Sequence, residues 1–208
     1  MIEDQNNAKL FPMFLKMAGR SCLVVGAGTI AESKIASLLE AGGRVWVIAP
    51  EATEQVRSWA EAKKIEWHRR KFQTEDLAGM FLVVAATSSK ELHKDIFKEA
   101  WSRGVLCNIV DVPALCDFYY PAVVQRGALQ IAISTSGRSP ALAQRLRKEL
   151  EEQFGQEYEE WMEQLGEARN EQDAGGSDPE ERKRLRQEEA SAEAFEAFRR
   201  KRKADGGK

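Results

Sequence analysis

The segment Cys22–Ala31, C-L-V-V-G-A-G-T-I-A, constrains this chain more than any other. A short apolar run breaks into Gly26-Ala27-Gly28, and an amphipathic helix follows at once. This is the G-x-G-x-x-A form of the dinucleotide-binding turn. Gly26 permits a tight turn that a side chain would obstruct. Gly28, lacking a Cβ, lets the backbone approach a pyrophosphate, and small Ala31 lets the helix pack on the strand it has just left. Phosphates would then sit over a helix N-terminus, where free N–H groups and the macrodipole favour negative charge.

The surroundings support that reading over a purely structural glycine turn. Ser21–Val25 reads as a buried parallel strand. Ala31, Ile35, Leu38, Leu39 and Gly42 mark one helix face. Gly42-Gly43 stops the helix, and Val45–Ala49 reads as a second strand. A helix over about residues 53–64 follows, then an alternating edge strand, Ile65–Arg69. Phe81–Ala86 is an apolar strand, and Ser89 caps a helix carrying Leu92, Ile96, Phe97 and Ala100. Gly104 ends it, and Val105–Val110 leads to Asp111. Strands and helices alternating at these lengths imply βαβ units and a parallel sheet.

Beyond Asp111 the pattern changes. Tyr119–Val124 and Leu129–Ser134 read as two extended runs joined by Gln125-Arg126-Gly127-Ala128. Ser139-Pro140 then starts a helix with Leu142, Leu146, Leu150 and Phe154 on one face. From about Glu151 the chain is helix-favouring and charged. Gly175-Gly176-Ser177 interrupts it, and Asp178-Pro179-Glu180-Glu181 restarts a helix with a thin stripe of Leu185, Ala192, Phe195 and Phe198. The closing Arg199–Lys203 run reads as a solvated helix end, where cations suit the dipole.

A net charge of −2 over 208 residues argues against a nucleic-acid-seeking surface. No stretch approaches the roughly 18 apolar residues of a membrane span. Met1–Gln5 shows no secretory signal, so the cytoplasm is the expected compartment. Cys22, Cys107 and Cys116 have no C-x-x-C spacing; the first two read as buried, and Cys116 lies in a loop where it could be exposed, with nothing adjacent to activate a thiolate. With only two histidines, His68 and His93, no His-rich permanent metal site is expected, and His93, without a partner in sequence, reads as structural.

Several blocks resemble the amino-terminal module of siroheme synthase, whose stand-alone versions are precorrin-2 dehydrogenases. They are Phe11–Leu15, V-V-G-A-G-T-I-A, Leu38–Gly42, V-I-A-P, A-A-T-S (Ala85–Ser88), C-N-I-V-D (Cys107–Asp111), Asp117-Phe118 with Tyr120-Pro121-Ala122, and A-I-S-T-S-G-R-S-P-A-L-A (Ala132–Ala143). They run in order from about residue 10 to 150. The family's commoner G-G-G is G-A-G here, at a position that need not approach phosphate. The fused enzyme's methyltransferase domain has no counterpart in the sequence, so another protein is expected to supply the substrate.

The resemblance implies an α/β Rossmann-like parallel sheet, a small β-containing dimerisation segment and a C-terminal helical domain. The corresponding boundaries are 1–112, 113–150 and 151–208, the last ending in the charged tail. It implies NAD-dependent oxidation of precorrin-2 to sirohydrochlorin by a homodimer, on the route to sirohaem or cobalamin. Ferrous iron insertion by the same site occurs in some members.

Strand two ends Ala49-Pro50-Glu51 without the acid usually found about 20 residues after the glycines. Carry-over from the family places the cofactor against Pro50 and Glu51 beside Thr29 and Ile30, with Gly26, Gly28 and Thr87. No Arg directly follows the strand to hold a 2′-phosphate, which favours NAD over NADP. Asp111, ending a strand at the carboxyl edge of the sheet, is the catalytic candidate: a partly buried carboxylate that accepts a proton from the tetrapyrrole. Ser134, Thr135, Ser136, Gly137 and Arg138 form a small-residue loop expected to face the tetrapyrrole. Arg126 and Arg145 could pair with its carboxylates. The alternative from another class is a non-catalytic NAD- or tetrapyrrole-sensing module that docks a partner through its charged tail.

Overall fold

The computed structural model describes residues 9–176 and 178–206. Met1–Gln5 and Ser177 lie outside them. The chain divides into two compact units, residues 1–120 and 121–208.

In the first unit five parallel strands form one sheet in the order β3-β2-β1-β4-β5. They are β1 Ser21–Val25, β2 Arg44–Ile48, β3 Glu66–His68, β4 Leu82–Ala85 and β5 Leu106–Ile109. Helices α1 Thr29–Glu40, α2 Glu54–Glu61 and α3 Lys90–Arg103 connect them. Strand alternation divides the side chains between two cores. Cys22, Val24, Val45, Val47, Leu82 and Val84 pack with Ala31, Ile35 and Leu38 of α1 and Val56 of α2. Leu23, Val25, Ile48, Val83, Ala85, Cys107 and Ile109 pack with Ile96, Phe97 and Ala100 of α3. Fully burying one such aliphatic side chain contributes roughly 1.5–3 kcal/mol. These layers therefore hold the sheet rigid behind its edge.

The register aligns that edge. Val25 pairs with Ile48 and with Ala85, and Ala85 pairs with Ile109. Gly26, Ala49, Ala86 and Val110 consequently leave the sheet side by side. The connections reverse direction between β1 and β4, which is where open α/β sheets place their ligands.

Tyr119 and Tyr120 are not part of a strand. Phe118 and Tyr120 fold back on the α1 face of the sheet and pack against its core. The buried Asn108 side chain fixes that return by donating to the Phe118 carbonyl at 2.7 Å. The apolar alternation of this segment thus reflects core packing rather than pairing.

The second unit begins with an antiparallel hairpin, β6 Ala122–Arg126 and β7 Leu129–Ile133. Its turn is Gly127-Ala128, since Arg126 already pairs with Leu129. Helix α4, Pro140–Gln153, starts with the Ser139 hydroxyl accepting from the Leu142 N–H at 3.2 Å. Helices α5 Glu157–Ala174, α6 Pro179–Glu189 and α7 Ala192–Ala204 follow. The restart at Asp178 is two helices, because the Ser191 hydroxyl caps α7 through the Ala194 N–H. Phe195 of α7 lies 4.3 Å from Tyr158 and 4.5 Å from Trp161 of α5, ring centre to ring centre. The terminal basic run is tied into the same unit, with Arg202 bonding both carboxylate oxygens of Glu160. Among the described residues, no helix is long and apolar enough to cross a membrane.

Candidate functional site

The turn after β1 is built as its glycines require. Gly26 adopts φ +106°, and a Cβ there would stand 2.3 Å from the Ala86 carbonyl oxygen. The close approach of β1 and β4 at their ends therefore excludes every side chain. A Cβ on Gly28 would meet nothing within 4 Å, so the protein leaves that side open. Gly28 is the N-cap of α1 and provides no side-chain hydrogen bond to the first turn. Its exposed neighbours Thr29 and Ile30 open the helix. Open space above an uncapped helix start fits a pyrophosphate that accepts from those amides.

Beside this turn a cavity of about 510 Å³ lies at the carboxyl edge, lined among others by Gly26, Pro50 and Thr87. Three of the seven nominated cofactor residues thus share one cavity. Gly28, Thr29 and Ile30 adjoin it through the turn, and exposed Glu51 follows Pro50 without lining it. The opposite walls carry Arg70, Lys71 and Phe72 from the chain after β3, and Glu91 and Asp95 from α3. Sequence reasoning missed these residues. The Arg69-Arg70-Lys71 run was a usable signal, since a parallel β3 must deliver it to the same edge.

Arg70 is already engaged. Its Nη1 and Nη2 donate to the two carboxylate oxygens of Asp76 at 2.8 and 2.6 Å. The Gln73 N–H donates to Asp76 Oδ2 at 2.8 Å. Burial raises the Asp76 pKa, but the Arg70 and Gln73 hydrogen bonds outweigh it and hold the carboxyl below its ordinary value. Arg69 reaches the Pro50 carbonyl at 3.3 Å, fixing the end of β2 to that of β3.

Asp111 follows β5 at the carboxyl edge, in the left-handed region at φ +61°. Few residues other than Gly, Asn and Asp adopt this conformation. The carboxyl is exposed rather than partly buried as expected, because the chain turns outward at Asp111 instead of continuing the strand. It acts electrostatically on Lys34 of α1, whose ammonium lies 3.8 Å from the centre of the Tyr120 ring. Partial burial lowers the Lys34 pKa, and the Asp111 carboxylate opposes that shift.

The nominated substrate loop lies in the second unit. Ser136 and Gly137 are consecutive left-handed residues at φ +52° and +75°. The Ser134 hydroxyl accepts from the Ser136 N–H, and Thr135 Oγ1 accepts from the Ser139 N–H, both at 3.1 Å. Ser134, Ser136, Gly137 and Arg138 are exposed, with Thr135 half-buried. Arg126 is committed elsewhere: its Nε and Nη2 donate to the carbonyls of Phe154 and Glu151 at the end of α4. Arg145 pairs with Glu149 at 3.3 Å along the helix.

Cys116, whose loop position left exposure open, is half-buried, and its thiol donates to the carbonyls of Ile109 and Val112. Burial pushes the Cys22 and Cys107 thiols up to about 11 and about 12. Among the described residues, no group of three or more His, Cys, Asp or Glu side chains could hold a metal ion.

A family model described as NAD(P)-binding matches residues 13–122, and one described as the central part of a sirohaem biosynthesis protein matches 126–153. The chain belongs to the NAD(P)-binding family whose model covers more than half of it. It is 42% identical over 147 residues to a siroheme synthase of Nitrosococcus oceani, covering 71% of this chain and 31% of that protein. For the siroheme synthase of Neisseria meningitidis the identity is 40% over 141 residues, covering 68% and 29%. The chain thus spans less than a third of the length of these relatives. A solved structure named SirC, precorrin-2 dehydrogenase, superposes with a TM-score of 0.76 at 28% identity, over 88% of this chain and 90% of that one. The likeness to siroheme synthases therefore extends over both the nucleotide-binding half and the segment that follows.

Proposed function

We propose that this chain oxidises precorrin-2 to sirohydrochlorin with NAD. The observation that carries the reading is the strand register, which sets the Gly26–Gly28 turn and Asp111 along one edge of the sheet. The likeness to a precorrin-2 dehydrogenase over nearly its whole length supports the substrate class.

The first-turn amides after Gly28 receive the pyrophosphate, with Thr29 and Ile30 beside it. Pro50 and Glu51 border the adenosine ribose, and Thr87 offers a hydroxyl across the switch point. Bound NAD supplies the hydride acceptor. The tetrapyrrole loses a hydride equivalent and a proton, and an Asp111 carboxylate oxygen accepts that proton. Its exposure suits a base that must first meet a large substrate. Ser134, Thr135, Ser136, Gly137 and Arg138 contact the tetrapyrrole, with the Arg138 guanidinium on a substrate carboxylate.

Residues 113–150 form the dimerisation segment and 151–208 the helical domain. Val123 and Leu142, 37% and 39% exposed in the single chain, support a second copy covering this segment. The name siroheme synthase borne by the relatives favours a second step, ferrous iron insertion, in which Asp111 receives the displaced pyrrole protons. The test is turnover of enzymatically generated precorrin-2 by the full chain, with and without ferrous iron. NADH absorbance and the sirohydrochlorin spectrum should rise together. A sirohydrochlorin yield independent of NAD would overturn the reading.

A further inference from the structure

His93 is a buried ionisable side chain that the mechanism above leaves unused. It lies in the first turns of α3 and is only 5% exposed. Its Nε2 stands 2.9 Å from the Thr87 carbonyl oxygen and 3.0 Å from Thr87 Oγ1. Its Nδ1 is buried with no hydrogen-bond partner. Thr87 lines the cavity at the carboxyl edge, whereas His93 does not.

These contacts select one tautomer. A proton on Nδ1 would bury an unsatisfied N–H and turn the bare Nε2 lone pair toward the Thr87 carbonyl oxygen 2.9 Å away. A proton on Nε2 satisfies that carbonyl and leaves only a bare acceptor at Nδ1. The same N–H is then shared with Thr87 Oγ1, which accepts it. A hydroxyl oxygen whose neighbour is a donor keeps its own proton free. That proton is available to an acceptor in the cavity.

We propose that His93 is a positioning residue for the cofactor: it fixes the loop after β4 and makes the Thr87 hydroxyl a hydrogen-bond donor into the cavity. This rests on reading the cavity as the NAD site. The ligand group it recognises is an oxygen acceptor of the dinucleotide. The structural role of a core histidine would be met by any side chain that filled the space. The proposed role needs a donor at the Nε2 position.

NAD binding to the full chain, measured by calorimetry without substrate, tests this directly. His93→Leu keeps the volume and removes the donor, and should weaken NAD by about 5- to 10-fold, the worth of one neutral hydrogen bond. His93→Gln places an amide donor near the Nε2 position and should recover most of that loss. In a Thr87→Val background, His93→Leu should cost little more, since the hydroxyl it orients is gone. Equal affinity of wild type and His93→Leu, or equal losses with and without Thr87, would overturn the proposal. Nitrogen-15 shifts of the imidazole provide a check that needs neither ligand nor variant. A protonated Nε2 with a bare Nδ1 is expected, and the opposite tautomer contradicts the proposal. A wild-type protein that shows the expected tautomer but binds no NAD overturns the cofactor reading of the cavity, and the proposal with it.

Discussion

At the scale of single residues, the two glycines of the opening turn do different work, and substitution should separate them. Gly26→Ala forces a Cβ onto the Ala86 carbonyl, 2.3 Å away, at a φ of +106°. We expect a loss of at least about 2–3 kcal/mol and a clearly lowered melting temperature. Gly28→Ala meets no protein atom within 4 Å. Its melting temperature should stay within a few degrees of wild type, while NAD affinity falls at least about tenfold because the methyl occupies the phosphate's approach. Thermal melts and NAD titrations of the two variants read both effects. Asp76 gives a pH-dependent counterpart. Its folded pKa is depressed, so its stabilisation is fully present above the ordinary carboxylate range and is lost as pH falls through that range to the depressed value. Asp76→Asn should therefore melt below wild type at pH 7. The gap should close as both are titrated below about pH 4.

At the scale of elements, what could be read from sequence was what is local. The β1–turn–α1 unit was legible because its strand, glycines and helix face are contiguous, and Asp111 was placed because a strand's polarity says which edge it leaves. The contents of the cavity were not. Arg70, Lys71 and Phe72 arrive through the pairing of β3 with β2, which leaves no mark on the residues themselves. The Thr87–His93 pair joins a loop to a helix six residues on, and neither residue type announces the contact. Tyr119 and Tyr120 imitated a strand because covering a sheet face demands the same apolar character as pairing within one. Arg126 was misread for a related reason: an arginine in a hairpin looks available until the end of α4 is seen against it. Arg126→Met should leave the α4 carbonyls of Glu151 and Phe154 without their donor and destabilise the second unit by about 1–3 kcal/mol. Urea unfolding followed through the Trp161 fluorescence of that unit would register it, and an unchanged midpoint would show that the guanidinium contributes nothing.

At the scale of the whole molecule, one chain carries a nucleotide-binding sheet and a second unit that bears the nominated tetrapyrrole loop. If residues 113–150 mediate dimerisation, sedimentation equilibrium should give twice the monomer mass. Replacing exposed Val123 and Leu142 together by glutamate should give monomers. A monomeric wild type would remove that segment's assigned role. The proposed chemistry turns on one carboxylate beside a bound dinucleotide. Its most direct test is the rate of NADH formation on precorrin-2 by wild type and Asp111→Asn, an exchange that retains the shape and tolerates the left-handed backbone at φ +61°. The variant should fold, bind NAD as wild type does, and lose turnover by at least about 100-fold, the lower range for removing a general base. Wild-type turnover in Asp111→Asn would contradict the assignment of Asp111 as the proton acceptor.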